Sequence, residues 1–345
     1  MSGVYLFAAL ISVLAAVLTV GFGWLVMKHG PKDHPDGERK TQSTAMPTSG
    51  GIAIFLAAIP VTLVSMFLFD GWLSLQIIVL LLASAGMFLM GLWDDLVNLP
   101  ALPKLLVQVV LALFVTWFGV RVSQFDLGRN VLETGFLIAV LGSATWFVVV
   151  TNAVNFMDGS DGLAMGASAT IAGGIALLAG LSGAYDLMAF ALIMFGALIG
   201  HLVWNGRGKL FTGDSGALFV GFYLAGLTLI LIERTGLSVW VGPLLFIGFL
   251  ADVLLTLIWR YQHKRSLMKP HLEHVYQIMI RTGASHALVA WIYIWVTLHG
   301  VFVSGMSLLL PRGGAMAGFA ALILILYILN RRIRGSAIRH GLISP

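Results

Sequence analysis

Long uninterrupted apolar segments constrain this chain more than any other feature. Runs of about 20 apolar residues recur along its whole length, and each is long enough to cross a ~30 Å hydrocarbon layer as a helix. Only 10% of the 345 residues are charged, whereas a soluble domain has roughly 25%, so most of the surface must face lipid. Strand-like alternation is absent, which excludes a transmembrane barrel. The sequence therefore predicts an all-α polytopic membrane protein.

The apolar runs predict 11 transmembrane helices. We place them approximately at 4–27, 48–69, 73–92, 103–120, 134–155, 163–181, 185–204, 216–232, 238–259, 286–308 and 314–330. The first run has no basic residue before it and is too long for the apolar core of a signal peptide, so we interpret it as a retained span. No polar segment is long enough to form a second domain, and residues 1–345 are predicted to form a single membrane domain.

The basic residues predict the orientation. With alternating sides, the loops 28–47, 93–102, 156–162, 205–215 and 260–285 share one face with the C-terminal tail. Sixteen of the 20 Lys and Arg, including Lys104, fall on this face, and four fall on the other: Arg121, Arg129, Arg234 and Arg312. The positive-inside rule makes the first face cytoplasmic and places the N-terminus outside. The connection 121–133, on the outer face, is predicted to form a small hairpin.

Scarce acidic residues gather at the predicted cytoplasmic face. Ionisable groups at membrane depth cost about 2.5–3.5 kcal/mol each on insertion scales and usually mark function. Asp94 and Asp95 end the third span in GLWDDL, where adjacent carboxylates repel unless a cation or solvent separates them. A solvated helix end is the structural alternative for this pair.

A second polar cluster lies in TNAVNFMDGSDGLA and contains Asn152, Asn155, Asp158 and Asp161. Spacing by threes keeps neighbouring members on one side of a helix, and the two glycines of the motif are expected to break that helix. A calcium EF-hand is excluded, because the twelfth position from Asp158 is Ala169 rather than glutamate. A helix cap followed by a turn is the alternative interpretation.

Asp214 lies between Gly213 and Ser215 in FTGDSG, just before the eighth predicted span. Asp214 or Ser215 fits the position of a helix N-cap. The same place also suits a metal or phosphate, because glycines allow close approach and a helix N-terminus favours anions. The chain contains no cysteine, so any metal here would have oxygen or nitrogen ligands.

A fourth cluster begins with Asp252, two turns inside the ninth predicted span, where an unpaired carboxylate would be costly. The basic loop that follows contains Arg260, Lys264, Arg265, Lys269, Pro270, His271 and His274. Its cations suit phosphates, or they serve only as juxtamembrane charges that set topology. Two further segments on this face are PTSGG (residues 47–51) and the pair Lys104 and Gln108, for which turn formation and a snorkelling lysine are the alternatives.

Six motifs of this chain resemble, in the same order, those of the bacterial polyprenyl-phosphate N-acetylhexosamine-1-phosphate transferase family. They are PTSGG, GLWDDL, Lys104 with Gln108, NFMDGSDGLA, GDSG, and Asp252 followed by PHLEHVYQ. The resemblance covers most of the chain. It implies that undecaprenyl phosphate attacks the sugar-bearing phosphorus of a UDP-N-acetylhexosamine, that UMP leaves, and that a lipid-linked cell-envelope glycan begins. It also implies an 11-span fold and Mg²⁺, with Mn²⁺ as a substitute. Membrane lipids are expected partners, nucleic acid is not, and a homodimer is left open.

The resemblance also implies residue roles. Asp214 is the expected Mg²⁺ ligand. Asp158 and Asp161, with Asn155, are expected to bind the nucleotide or support the metal, and Asn152 is expected to bind substrate. Asp94 and Asp95 are expected to orient or deprotonate the lipid phosphate. Lys104, His271, His274 and Arg260 are expected to hold the diphosphate, with Asp252 in a supporting role.

The last motif departs from one branch of the family. A run of three histidines is typical of the phospho-MurNAc-pentapeptide translocase branch, but Val275 follows His274 here. The chain is more similar to the branch that initiates O-antigen or capsule synthesis, which disfavours UDP-MurNAc-pentapeptide as donor; Glu273 has no explanation at this level.

Two other classes of protein remain open. A rhomboid-like serine protease is suggested by Gly213-Asp214-Ser215-Gly216 together with the histidines. An ion-coupled transporter is the other, although transporter sites usually lie near the bilayer midplane and these groups lie at helix ends.

Overall fold

The computed structural model describes residues 2–30, 32–33, 46–69, 71–128, 130–267, 271–310 and 313–343. The helices in these ranges are α1 (Ser2–His29), α2 (Gly51–Leu68), α3 (Leu75–Val97), α4 (Ala101–Trp117), α5 (Gly135–Met157), α6 (Leu163–Leu181), α7 (Tyr185–Asn205), α8 (Gly213–Thr235), α9 (Val241–Leu245), α10 (Ile247–Gln262), α11 (Val275–Arg281), α12 (His286–Met306) and α13 (Gly314–Arg339). The strands form two antiparallel pairs, β1 (Lys32–Asp33) with β2 (Met46–Pro47) and β3 (Gln124–Leu127) with β4 (Asn130–Glu133).

Some residues used in the sequence analysis fall outside these ranges. They are Arg129, Lys269, Pro270 and Arg312, together with most of the predicted loop 28–47.

The all-α, multi-pass architecture is confirmed. Nine helices within the described ranges are long and apolar enough to cross a membrane. The other two predicted spans correspond to α4, which has only 17 residues, and to α9 with α10. The prediction of one continuous ninth helix is wrong, because the helix is interrupted at Phe246. The predicted hairpin at 121–133 is confirmed as β3 paired with β4.

Helix α8 lies at the centre of the bundle. Every residue from Ser215 to Ile232 is buried, and α3 and α5 pack along the helix. A helix that is apolar on all sides is stable only when other helices or lipid surround it. Large side chains on outer helices, such as Leu10 and Val17 of α1, stay exposed. The FTGDSG motif therefore lies at the start of the most enclosed of the described membrane-spanning helices.

The start of α8 packs against α2 and α3 through direct contacts between backbone atoms. A Cβ added at Gly91 of α3 would lie 2.5 Å from the carbonyl oxygen of Asp214, and one at Gly51 would lie 2.2 Å from the nitrogen of Gly216. Real Cβ atoms do not approach backbone so closely, so only glycine allows these helices to meet here.

The PTSGG segment is part of the same contact. The N–H of Gly50 donates to the carbonyl of Phe211 at 2.8 Å, and the N–H of Gly51 donates to that of Thr212 at 2.9 Å. The N–H of Phe211 donates back to the carbonyl of Pro47 at 3.0 Å. The segment thus holds the loop that precedes Asp214.

Candidate active site

Asp95 caps the helix that begins with the FTGDSG motif. Its Oδ1 accepts the backbone N–H of Asp214 at 2.7 Å, and its Oδ2 accepts that of Ser215 at 3.2 Å. The hydroxyl of Ser49 donates to the same Oδ2 at 3.0 Å. The first N–H groups of a helix have no partner within the helix, and a carboxylate there also suits the helix dipole. Both oxygens of Asp95 therefore help to place α8, and its role at the lipid phosphate stays a prediction.

Lys104 lies between two carboxylates that come from different helices. Its Nζ is 2.6 Å from Oδ2 of Asp94 and 3.4 Å from Oδ2 of Asp214. The other oxygen of Asp94 accepts the N–H of Leu99 at 2.6 Å, and the other oxygen of Asp214 accepts the amide of Asn155 at 2.9 Å. The ammonium offsets the repulsion between the two acids. Helices α3, α4, α5 and α8 thus bring four predicted site residues together at one end of the bundle.

Asn152 does not take part in this network through its amide nitrogen. That group donates to Oε1 of Gln108 at 2.5 Å and to the carbonyl of Val148 at 2.8 Å. Gln108 is buried on α4. Asn152 therefore links α4 and α5, and its role in substrate binding stays a prediction.

The segment 158–162 adds two carboxyl groups to the same end of the bundle. Burial raises the pKa of Asp158 well above its usual range, a hydrogen bond from Thr212 opposes the rise, and the carboxylates of Asp214 and Asp95 add to it. Burial also raises the pKa of Asp161, while the nearby imidazole of His286 lowers it. Crowded acids of this kind favour a bound cation or proton, and they are typical of functional sites.

Asp252 accepts hydrogen bonds from the start of α11, as Asp95 does from the start of α8. Residues 271–276, which lead into α11, are called the histidine-containing segment. Its Oδ1 accepts the N–H of Val275 at 2.8 Å, and its Oδ2 accepts the N–H of Tyr276 at 3.2 Å and the hydroxyl of Tyr293 at 2.5 Å. The hydroxyl of Tyr276 donates to the carbonyl of Phe156 at 3.1 Å. The start of α11 is thereby attached to the end of α5, next to Asp158.

His271 and His274 lie side by side in front of α11, with ring centroids 4.9 Å apart. His274 is buried, and its Nδ1 lies 3.5 Å from Oδ1 of Asp252. Burial, followed by electrostatic interactions with His274 and Arg260, lowers the pKa of His271 to about 4. His271 is therefore neutral near pH 7 in the free protein and offers a ligand a hydrogen bond rather than a charge.

Arg260 is already paired. Its guanidinium is buried, forms an ion pair with Glu273 and donates to the carbonyl of Ser266. Glu273 also pairs with Arg265. Through these contacts the guanidinium of Arg260 holds the loop, and its contact with the diphosphate stays a prediction. The same ion pairs explain Glu273, which sequence reasoning left without a role.

Sequence reasoning missed several residues of this region. Ser49 and Thr212 contact Asp95 and Asp158, Tyr276 joins α11 to α5, and Nδ1 of His286 lies 3.0 Å from Oγ of Ser160. His286 and Ser160 are 126 positions apart. No spacing rule connects residues that are so distant in the chain.

Comparison with known proteins identifies the family. The profile of Glycosyl transferase family 4 matches residues 77–232. The chain is 31% identical over 272 residues to the phospho-N-acetylmuramoyl-pentapeptide-transferase of Geobacillus sp. (strain WCH70), an alignment that covers 75% of this chain and 81% of the relative. This chain belongs to glycosyl transferase family 4. The family resemblance found in the motifs is confirmed.

Two family 4 relatives from Bacillus subtilis (strain 168) differ in their named sugars. The chain is 28% identical over 269 residues to a probable undecaprenyl-phosphate N-acetylglucosaminyl 1-phosphate transferase, covering 76% of this chain and 74% of the relative. It is 30% identical over 297 residues to a phospho-N-acetylmuramoyl-pentapeptide-transferase, covering 78% and 87%. The family 4 segment 77–232 contains the Lys104 network and the segment 158–162, whereas Asp252 and both histidines follow it.

Proposed function

We propose that this protein transfers an N-acetylhexosamine 1-phosphate from a UDP-sugar to undecaprenyl phosphate, releasing UMP. One observation carries the proposal: in a family 4 chain, Asp94, Lys104, Asn155 and Asp214 from four helices join in a single network at one end of the bundle. The names of the relatives all describe transfer of a phosphate-linked sugar. The product would begin a lipid-linked cell-envelope glycan.

The proposed donor is a UDP-N-acetylhexosamine rather than UDP-MurNAc-pentapeptide. Relatives named for both sugars match at similar identity, so overall similarity does not choose between them. The choice is supported by the last motif, where a buried Val275 follows His274. O-antigen or capsule synthesis is the process that this motif favours.

Phosphoryl transfer needs positioning and charge neutralisation more than covalent help from the protein. In the proposed reaction, an oxygen of the lipid phosphate forms a bond to the sugar-bearing phosphorus of the donor. The bond from that phosphorus to the oxygen of UMP breaks, and UMP leaves with the electron pair. Asp94 orients the lipid phosphate, whose second pKa near 6 makes a strong base unnecessary, and Lys104 holds the donor diphosphate.

Asp214 and Asp158 fit the Mg²⁺ that this reaction would use. Within the described residues no three His, Asp or Glu side chains form a ready metal cage. Mg²⁺, however, usually takes one or two carboxylates together with phosphate oxygens and water. The mutual repulsion of the buried Asp158 and Asp214 carboxylates is what a divalent cation would relieve. When bound, the ion would neutralise charge on the donor diphosphate, while Asn155 and Lys104 hold Asp214 in place.

We also propose that the site faces the cytoplasm of a bacterial inner membrane and that the N-terminus lies outside. The asymmetry of Lys and Arg supports this orientation. Because the chain has no cysteine, single cysteines can report it: Val131→Cys in β4 should react with a membrane-impermeant maleimide in right-side-out vesicles. His340→Cys, after α13, should react only in inverted vesicles, and the opposite pattern would reverse the orientation.

The deciding experiment uses purified protein with undecaprenyl phosphate, Mg²⁺ and a panel of UDP-N-acetylhexosamines plus UDP-MurNAc-pentapeptide. UMP release and a new lipid-linked sugar with one N-acetylhexosamine are expected. Turnover only with UDP-MurNAc-pentapeptide would correct the donor, and no turnover with any donor would overturn the proposal. Solute uptake by proteoliposomes without lipid product would favour a transporter. Loss of function in Ser215→Ala but not in Asp214→Asn would favour a protease.

A further inference from the structure

Helix α13 buries one of its arginines. Arg334 is 2% exposed, whereas Arg331 and Arg332 on the same helix are exposed. Its Nε donates to Oδ1 of Asn330 at 2.9 Å, and its Nη2 donates to Oγ1 of Thr256 on α10. A buried guanidinium is costly unless it is paired and hydrogen-bonded. The burial of Arg334 therefore indicates a functional role that the exposed arginines of α13 do not have.

A chain of hydrogen bonds leads from Arg334 to α11. Thr256 accepts from Arg334 and donates its own proton to Oδ1 of Asp252 at 3.1 Å. Asp252 then accepts the N–H groups of Val275 and Tyr276 at the start of α11. The order guanidinium, hydroxyl, carboxylate is the one in which each bond polarises the next.

The series of hydrogen bonds that begins at Arg334 ends at the candidate active site. Tyr276 donates to the carbonyl of Phe156, and a Cβ added at Gly159 would lie 2.2 Å from its hydroxyl oxygen. Since His271 and His274 directly precede α11, the position of this helix also sets their position relative to Asp158.

A second contact couples Arg334 to the same segment. Its guanidinium lies 4.9 Å from the ring centre of Trp259, and that of Arg265 lies 4.5 Å from the same ring. Arg265 pairs with Glu273, which stands between the two histidines in the sequence. Cation–π contacts strengthen when they are shielded from water. Two routes therefore connect α13 with the histidine-containing segment.

We propose that Arg334 is a positioning residue for the donor side of the active site. It holds His271, His274 and Tyr276 against the Asp158 segment through Thr256 and Asp252, and it contacts no substrate. The inference rests on the proposed function, because it assigns the histidine-containing segment to the donor diphosphate. It gives the C-terminal helix, which lies outside the matched segment 77–232, a part in the reaction.

The test compares Arg334→Met with Arg332→Met, the same change at an exposed position of α13. Arg334→Met should lower kcat/KM for the UDP-sugar on the order of 100-fold, as small misplacements of binding groups do. The KM for undecaprenyl phosphate should stay within about two-fold, because Asp94, which orients the lipid phosphate, is unchanged in this variant. Arg332→Met should match the wild type, and equal kinetics of the two variants would overturn the inference.

Thr256 provides a milder pair of variants in case Arg334→Met does not fold. Thr256→Val removes the hydroxyl that joins Arg334 to Asp252, and Thr256→Ser keeps it. The first should reproduce the donor-specific loss, and the second should restore activity. The double variant of Thr256→Val and Arg334→Met should be no worse than either single change. Multiplying effects, or equal losses for both substrates, would contradict the proposal.

A binding measurement separates this inference from the proposed function. UDP affinity measured by calorimetry does not require turnover, and Thr256→Val should weaken it while Thr256→Ser should not. If the wild type releases no UMP with any donor, the transferase assignment fails, and the UDP comparison still tests the positioning role. Equal UDP affinity in both variants would overturn that role.

Discussion

Asp95 at the end of α3 accepts the backbone N–H of Asp214 at 2.7 Å, although the two residues are 119 positions apart. Asp95 thus positions α8, the helix that carries Asp214. Asp252 does the same for α11 through Val275 and Tyr276. The acidic residues at this end of the protein therefore divide into those that place helices and those that remain available to a ligand.

Replacing Asp95 by alanine should reduce stability as well as activity. Loss of an N-cap costs about 0.5–2 kcal/mol, and the start of α8 would lose its partners in α3 and at Ser49. Asp95→Asn keeps a capping acceptor and should retain most of the stability. Thermal unfolding in detergent and UMP release measure both effects. Wild-type stability in Asp95→Ala with loss of activity alone would show that Asp95 acts chemically rather than as a cap.

Lys104→Met should nearly abolish turnover. Without the ammonium, the carboxylates of Asp94 and Asp214 face each other unscreened, and a cation aimed at the reacting phosphates is lost. Removal of one such electrostatic group costs about 10²–10³-fold in rate. Lys104→Arg should keep part of the activity, and Lys28→Met, at the exposed end of α1, should have none of this effect. Activity of Lys104→Met close to that of Lys28→Met would contradict the assigned role.

Removal of divalent metal should stop the reaction. Chelation with EDTA is expected to abolish UMP release, and Mg²⁺, or Mn²⁺ in its place, should restore it. Asp214→Asn should raise the Mg²⁺ concentration for half-maximal activity by about ten-fold or more, because an amide is a weaker ligand than a carboxylate. Asp126→Asn, in the β3 strand on the other face, is the control. An unchanged metal requirement in Asp214→Asn would move the metal site elsewhere.

Alanine at Gly51 or Gly91 should destabilise the fold. The new Cβ would lie 2.2 Å from the nitrogen of Gly216 or 2.5 Å from the carbonyl of Asp214, and backbone cannot move aside as a side chain can. Overpacking typically costs about 1–3 kcal/mol, and we expect the upper end. Gly142→Ala on α5, where nothing lies within 4 Å, should be neutral or stabilising. Equal unfolding temperatures for all three variants would contradict the close helix contact.

His271 should make the protein less stable in acid. Its pKa is about 4 in the folded protein, against about 6.5 in an unfolded chain. Between these values the unfolded chain binds a proton that the folded protein does not bind, so stability falls as the pH falls through this window. His271→Asn should remove that contribution. Unfolding temperatures across the pH range test this, and a difference between variant and wild type that is independent of pH would exclude it.

Helix ends show where prediction from local sequence succeeds and where it stops. The α6 boundaries match the predicted 163–181, because apolar residues end at glycine or serine on both sides. The last helix was predicted to end at residue 330, but α13 continues to Arg339. Its basic residues resembled a solvated tail, whereas Arg334 is buried against Thr256 of α10. A tertiary contact decided that boundary.

The sequence by itself determined that this chain is helical, crosses a membrane several times and carries the carboxylates of its candidate site in a few short motifs. These properties follow from run length, composition and the order of motifs, which are local. Only the tertiary structure decided which carboxylates cap helices, that Arg260 is held by Glu273, and that Lys104 stands between Asp94 and Asp214. Such roles depend on which atoms of distant segments meet, and residue spacing carries no information about that.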